Sequence, residues 1–404
     1  MTVTTGPVVR QESGVLAAVV LTALNLRTPV TGFSVLLGTA GDALRFGHLV
    51  AGAIGTIVTA CFAAAAFSAP VLVRRVGLER TAALALTATT VGIVLRALAW
   101  SPAVLLGASV VLFAGVGASN VVLIPIVKTH FPTRVRTLST LYMVLLQVGQ
   151  LLAPLVALAL ATVSGWRTAS GVWALFTAVA AVLWVRQARR GGPDRPAAAQ
   201  PRAGLVPWRS PLALGLIGLM AMTALHVYTL ITWLPTMFTD AGVGETPSAF
   251  LLSWFAGLGL VAAFVVPPLA GRLANPYPVV VVCAVLMGVG YAGMATAPAS
   301  GAFAWATAFG LGVSTFPLCL TLIGLRTTTP AGASALSGLV QGVGYGIGCV
   351  GPLALGALDA ATGSWRPAYL VLAATLLVTL AAGWWACRPQ HVAAPAGLPA
   401  RPHR

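Results

Sequence analysis

Twelve apolar stretches, each long enough to cross a bilayer, constrain this 404-residue chain more than any other feature in it. They run over 14–37, 49–69, 80–100, 102–127, 137–161 and 166–186, then over 211–234, 248–270, 278–298, 301–325, 334–358 and 366–387. A hydrocarbon core of about 30 Å takes roughly twenty apolar helical residues to span, and each stretch supplies that number. Charged residues make up only 7% of the chain, against about 25% in a soluble domain. The runs are continuous, not short and alternating, which predicts helices in place of a β-barrel. The expected fold class is therefore all-α integral membrane, with twelve transmembrane helices.

The loops carry a second pattern. When loops are assigned alternately to the two sides, starting with a cytoplasmic N-terminus, eighteen Lys and Arg fall on the inner side. Only Arg45, Arg167 and Arg366 fall on the outer side, while Arg27 and Arg96 lie within spans. Basic residues are retained on the cytoplasmic side of membrane proteins, so both termini are predicted to be cytoplasmic. The formal charge of +16 and the pI near 11.3 then report topology, and no nucleic-acid partner is expected. The segment "RQARRGGPDRPAAAQPRAGLVPWRS" is polar, rich in Pro and Gly, and without period, as a flexible linker would be. The chain thus divides into a six-helix bundle over 1–186, a cytoplasmic linker over 187–210, a second bundle over 211–387 and a tail over 388–404. Cys61, Cys283, Cys319, Cys349 and Cys387 sit in apolar runs without metal-like spacing, and are read as small packing residues.

The two halves repeat. At an offset of 198 residues Asp42 falls on Asp240, Pro70 on Pro268, Arg74 on Arg272, Gly92 on Gly290, Lys128 on Arg326 and Pro154 on Pro352. Six helices repeated in one orientation is the parallel-repeat plan of major facilitator transporters, with a site midway through the membrane between the halves. The motifs "LNLRTPVTG", "RRVGLER", "GASNVVLIPIVKTHFP", "FPLCLTLIGLR" and "LSGLVQGVGYGIGCVGPLALG" resemble the cyanate/2-nitroimidazole permease (CynX/NimT-type) branch of that superfamily. The resemblance runs from about Leu24 to Trp385. It implies two pseudo-symmetric six-helix bundles and a monomeric inner-membrane carrier that moves a small polar or anionic solute by alternating access. Cyanate-like members suggest uptake, and nitroimidazole-like members suggest export or exchange of small heteroaromatics. The superfamily's G-x-x-x-D-R-x-G-R loop is altered here: Arg75 and Gly77 remain, Arg74 stands where the acid would be, and Arg272 marks the weaker second copy. These four are the expected gating residues.

Helices 1, 4, 7 and 10 line the cavity in that superfamily, which directs attention to their polar residues. Helix 1 holds Asn25, Arg27 and Thr31, with Ser34 one further turn along. All seven acids lie at span ends or in loops, so Arg27 has no carboxylate expected within the membrane. A guanidinium so placed either bonds backbone and amide groups or receives an anion, for which its permanent charge and forked donors suit it. Pro29 is expected to free a carbonyl and bend the helix. Helix 7 offers His226 and Trp233, with Tyr228 nearby, and His226 is the candidate for carrying a coupling proton. Asn120 in helix 4, Gln147 in helix 5, and Gln341 and Tyr345 in helix 11 complete the substrate-binding set, Gln147 and Tyr345 being equivalent under the repeat. Arg96, near the outer end of helix 3, is expected to snorkel outward. No cofactor or metal is expected: "GYGIGCVG" contains G-x-G-x-x-G only within a membrane helix, and no nucleophile or metal cluster is present. An enzyme is therefore disfavoured, and a membrane sensor or scaffold would require a folded soluble domain for which the loops are too short.

Overall fold

The computed structural model describes residues 6–190 and 210–390. The expected linker and tail fall largely outside them. Among the described residues every regular element is an α-helix. The first crossing is made in three pieces, α1 (Gly6–Asn25), α2 (Thr28–Ser34) and α3 (Leu37–Leu44). It is followed by α4 (His48–Val76), α5 (Leu78–Ala97), α6 (Pro102–His130), α7 (Val135–Gly171) and α8 (Trp173–Arg190). Then come α9 (Pro211–Asp240), α10 (Glu245–Arg272), α11 (Tyr277–Thr296), α12 (Ala302–Gly312), α13 (Thr315–Leu325), α14 (Pro330–Gly348), α15 (Val350–Thr362) and α16 (Arg366–Ala386).

Among the described residues eleven helical stretches are long and apolar enough to span a membrane, and one of them, Thr137–Arg190, has 54 residues. It serves for two crossings: Gly165, at φ 80°, leaves the helical region and turns the chain back. Twelve crossings result. Ser101 and Ser210 cap α6 and α9, each accepting from the amide three residues on (Val104 at 3.3 Å, Ala213 at 3.1 Å) with a proline at the first helical position.

Prolines decide where crossings break. A proline has no N–H to give and its ring crowds the carbonyl four residues back. Pro29 crowds Asn25, the last residue of α1; Pro317 crowds Val313, between α12 and α13; Pro352 crowds Gly348, the last residue of α14. Pro70, Pro125, Pro154 and Pro235 sit in helices that run on past them, so proline permits a break without enforcing one.

Helices α1–α8 pack chiefly among themselves, as do α9–α16. The two sets meet where α4 lies against α14 and α15, α7 against α10, and α2 and α4 against α9. Large apolar side chains such as Leu98, Leu370 and Leu377 face outward, the surface a lipid-embedded protein presents. Arg74, Arg75, Lys128, Arg272 and Arg326 stand at helix ends on one face, called here the basic face; His48, Asp240, Asp359 and Arg366 stand at the opposite face.

Candidate functional site

The break in the first crossing is where the unusual chemistry lies. With the Pro29 amide missing, the ladder tightens to three-residue bonds, Leu26 N–H to Ala23 O at 3.3 Å and Val30 N–H to Arg27 O at 3.1 Å. Arg27 therefore occupies a joint, not a helix interior, and its side chain leaves the crossing toward the second set of helices. The guanidinium Nη1–H donates to the Tyr228 hydroxyl of α9. Its central carbon lies 5.6 Å from the ring centroids of both Phe62 and Tyr228. Phe62 of α4, Tyr228 of α9 and Tyr345 of α14 meet edge to face, with centroids 5.8–6.0 Å apart. All three rings and Arg27 are buried.

Energies show what this cage does. An intramembrane arginine costs about 2.5–3.5 kcal/mol even on lenient scales. A hydrogen bond to a charged group contributes about 1.5–3 kcal/mol, and a desolvated ring face about 2 kcal/mol. Phenol and ring faces thus suffice to keep Arg27 in place, but being neutral they leave its positive charge standing. Among the described residues the ion pairs are His48–Asp359 and His130–Glu79, and Arg27 belongs to neither.

Around the cage, Thr31 Oγ1 donates toward the Gln150 carbonyl at 3.2 Å, fastening α2 to α7. Asn25 Nδ2 donates to the Leu21 carbonyl at 2.8 Å, and Thr28 Oγ1 lies 3.4 Å from Asn25 Oδ1. Asn120 accepts from the Tyr142 hydroxyl at 3.1 Å, linking α6 to α7. Of the residues expected to bind substrate, the structure brings Arg27 and Tyr345 into the cage and places Asn25 and Thr31 as braces of the same crossing.

The others lie elsewhere. His226 points away: Nδ1 is 2.7 Å from the Tyr291 hydroxyl of α11, and Nε2 is 3.3 Å from Thr375 Oγ1 of α16. The reason is helical phase, since residues two apart are separated by about 200°, and Tyr228 already faces the first set. Trp233 donates Nε1–H to the Pro352 carbonyl at 2.8 Å and packs against His48 and Trp365 toward the face opposite the basic one. Gln341 donates to Ser337 on its own helix at 2.7 Å. Gln147 lies at the α7–α10 seam, where its Nε2 would be 2.8 Å from a Cβ at Gly259. Gln147 and Tyr345 are equivalent in the repeat, yet they line different seams.

Arg74, Arg75 and Arg272 are exposed at the basic face, and none of them enters an ion pair among the described residues. Gly77, at φ 91°, ends α4 in a conformation that suits glycine. On that face Glu79 is paired with His130 at 2.9 Å. At the opposite face His48 of α4 is paired with Asp359 of α15, joining the two sets of helices. Trp365 stacks on His48 at 5.6 Å and donates Nε1–H to Asp240 at 2.8 Å. Asp359, in the last turn of α15, is only 7% exposed.

Arg96 also departs from expectation. It does not snorkel: it is 1% exposed, and Nη2 donates to the Pro29 carbonyl at 3.1 Å. Its guanidinium sits 4.2 Å from the Phe33 ring centroid, so the ring face and the Pro29 carbonyl draw it inward.

A twelve-crossing chain in two pseudo-repeated sets, with a charged cage where they meet, can now be set beside known proteins. The profile of the Major Facilitator Superfamily matches residues 15–352. The chain belongs to that superfamily. It is 28% identical to the 2-nitroimidazole transporter of Escherichia coli (strain K12) over 379 residues, covering 93% of this chain and 96% of the relative. It is 27% identical to the cyanate transport protein CynX of the same organism over 376 residues, 90% of this chain and 96% of that one. In fold it is similar to the nucleoside transporter NupG, with a TM-score of 0.72 at 14% identity over 93% of this chain and 98% of NupG. The protein is a multi-pass membrane transporter of the major facilitator fold.

Proposed function

We propose that this transporter is a secondary carrier of a small planar anion, which binds against Arg27 between the two sets of helices. The observation that supports the reading is the charge balance of the cage: a buried guanidinium held by Tyr228, Tyr345 and Phe62, all neutral. A planar anion would accept from the remaining donors of the guanidinium fork and lay its π face on the rings. Because Arg27 comes from one set and the two tyrosines from the other, such a ligand closes the halves upon itself, as alternating access requires. The names of the relatives, a cyanate transport protein and a 2-nitroimidazole transporter, agree with a small, flat, polar solute. By the positive-inside rule the basic face lies in the cytoplasm of an inner-membrane protein, with both termini on that side. The carrier works as a monomer and without nucleic acid.

Purified protein in liposomes, offered radiolabelled cyanate, benzoate and 2-nitroimidazole, tests the proposal. Accumulation of an anion that is lost in Arg27→Gln is the expected result. Accumulation of the neutral nitroimidazole alone, unaffected by Arg27→Gln, would replace the reading with heteroaromatic exchange or export. Absence of flux for all three would overturn the assignment of a small planar solute.

A further inference from the structure

Arg96 opens onto a space of its own. A cavity of about 20 Å³ lies beside it, between Phe33 and Ser34 of α2, Gly55 of α4, Phe113 of α6 and Thr232 of α9. A single water needs about 10–15 Å³ of this kind of room, so the cavity fits one water or one ion of similar size and nothing larger. It lies on the Pro29–Leu37 side of Arg27, toward the face opposite the basic one, and Thr232 brings the second set of helices to its wall. Of the Arg96 donors, Nη2 is spent on Pro29, while Nε and Nη1 are buried with no partner in the protein.

We propose that this cavity is a binding site for a chloride-sized monovalent anion, separate from the solute site at Arg27. The alternative occupant is a lone water, and charge decides between them. Water can accept one of the orphaned N–H bonds, but it leaves a fixed positive charge in an apolar interior, and the described residues offer Arg96 no carboxylate. A small anion accepts from the edge of the guanidinium that it meets and neutralises the charge as well. Ser34 Oγ donates to Val30 O at 3.0 Å and Thr232 Oγ1 to Tyr228 O at 2.7 Å, and either hydroxyl can turn its proton to the ion by rotation about a single bond. Because α2, α4, α6 and α9 all contribute to the wall, an ion there binds the closed seam and is released when the seam parts. It therefore acts as a ligand of one conformation.

The test uses full-length protein in nanodiscs carrying Arg27→Gln, which removes the solute site, so that failure here and failure of the proposed function are told apart. Thermal unfolding is followed in sodium chloride and in sodium gluconate, whose anion is too large for the cavity, at equal ionic strength. The expected result is a saturable rise of about 2 °C in chloride at ten times the half-saturating concentration. Ser34→Val, which fills the cavity while keeping Arg96, should abolish that rise, and Arg96→Gln should do the same. Should Arg27→Gln not fold, the wild type and Ser34→Val are compared directly. Equal curves in both salts would mean a single water only, and a chloride effect that survives Ser34→Val would put the ion elsewhere. Either result overturns the proposal.

Discussion

The two halves of this transporter share a fold and divide the chemistry. At the offset of 198 residues, Arg27 corresponds to Leu225, Arg96 to Met294 and Pro29 to Val227. Both intramembrane cations and the break that exposes one of them thus belong to the first half, whose first crossing is in pieces. The equivalent α9 is one helix of 30 residues. The second half brings the phenols: Tyr228 stands opposite Val30, and Tyr345 opposite Gln147. Helix breaks are distributed the other way at the fourth crossing, since α6 is continuous while its counterpart is split into α12 and α13. A repeat constrains packing, which both halves need, but not the site, which a single asymmetric contact can supply.

The sharpest way to break this comparison is at Arg27. Truncating one partner of a buried charged contact costs about 2–5 kcal/mol, so Arg27→Gln should lower anion uptake by about 100-fold. Adding Leu225→Arg should not restore it. Rescue, measured as uptake into liposomes, would show that the halves are chemically interchangeable. A second test concerns the seam itself. A Cβ on Gly52 would come 2.6 Å from the Pro352 carbonyl oxygen and 3.0 Å from the Leu353 Cα, both backbone atoms that cannot give way. Gly52→Val should therefore hold that face open, costing about 1–3 kcal/mol of closure and roughly tenfold in uptake. Spin labels on α4 and α15 should move apart, and unchanged distances would refute the tight contact.

Smaller effects sharpen the division of labour. Tyr228→Phe removes the hydroxyl that receives Arg27 but keeps the ring, and should weaken uptake about tenfold, in line with the lower range for charged hydrogen bonds. Asp359→Asn should cost about threefold, because His48 is 36% exposed and a pair so placed is screened by solvent. Its clearer signature is a longer label distance between α4 and α15 at that face. His226→Gln should change uptake less than about twofold and leave the pH profile intact, since its partners Tyr291 and Thr375 lie within the second half. A flattened profile would instead assign a coupling proton to His226.

Much of the fold was legible because hydropathy and loop charge are one-dimensional signals: crossings, repeat and the Pro29 break all follow from residue order. The site was legible only where chemistry stood out from the apolar background, as Arg27 does. Helical phase was the missing quantity. His226 and Tyr228 are two residues apart and equally polar in sequence, yet they face opposite sides. Phe62 carries no mark among many apolar residues of α4, and only its position opposite Tyr228 makes it part of the cage. Arg96 and Pro29 are 67 positions apart, and His48 and Asp359 are 311 apart, so neither pairing has a local signal.

With 23 Lys and Arg against seven Asp and Glu, the acids here could have chosen almost any strong base, yet both ion pairs among the described residues join an acid to a histidine. They differ in what they tie: His130–Glu79 links α6 to α5 inside the first set, while His48–Asp359 links α4 to α15 across the seam. Only the second has to come undone when the two sets part at that face, so it serves as the latch of one mouth.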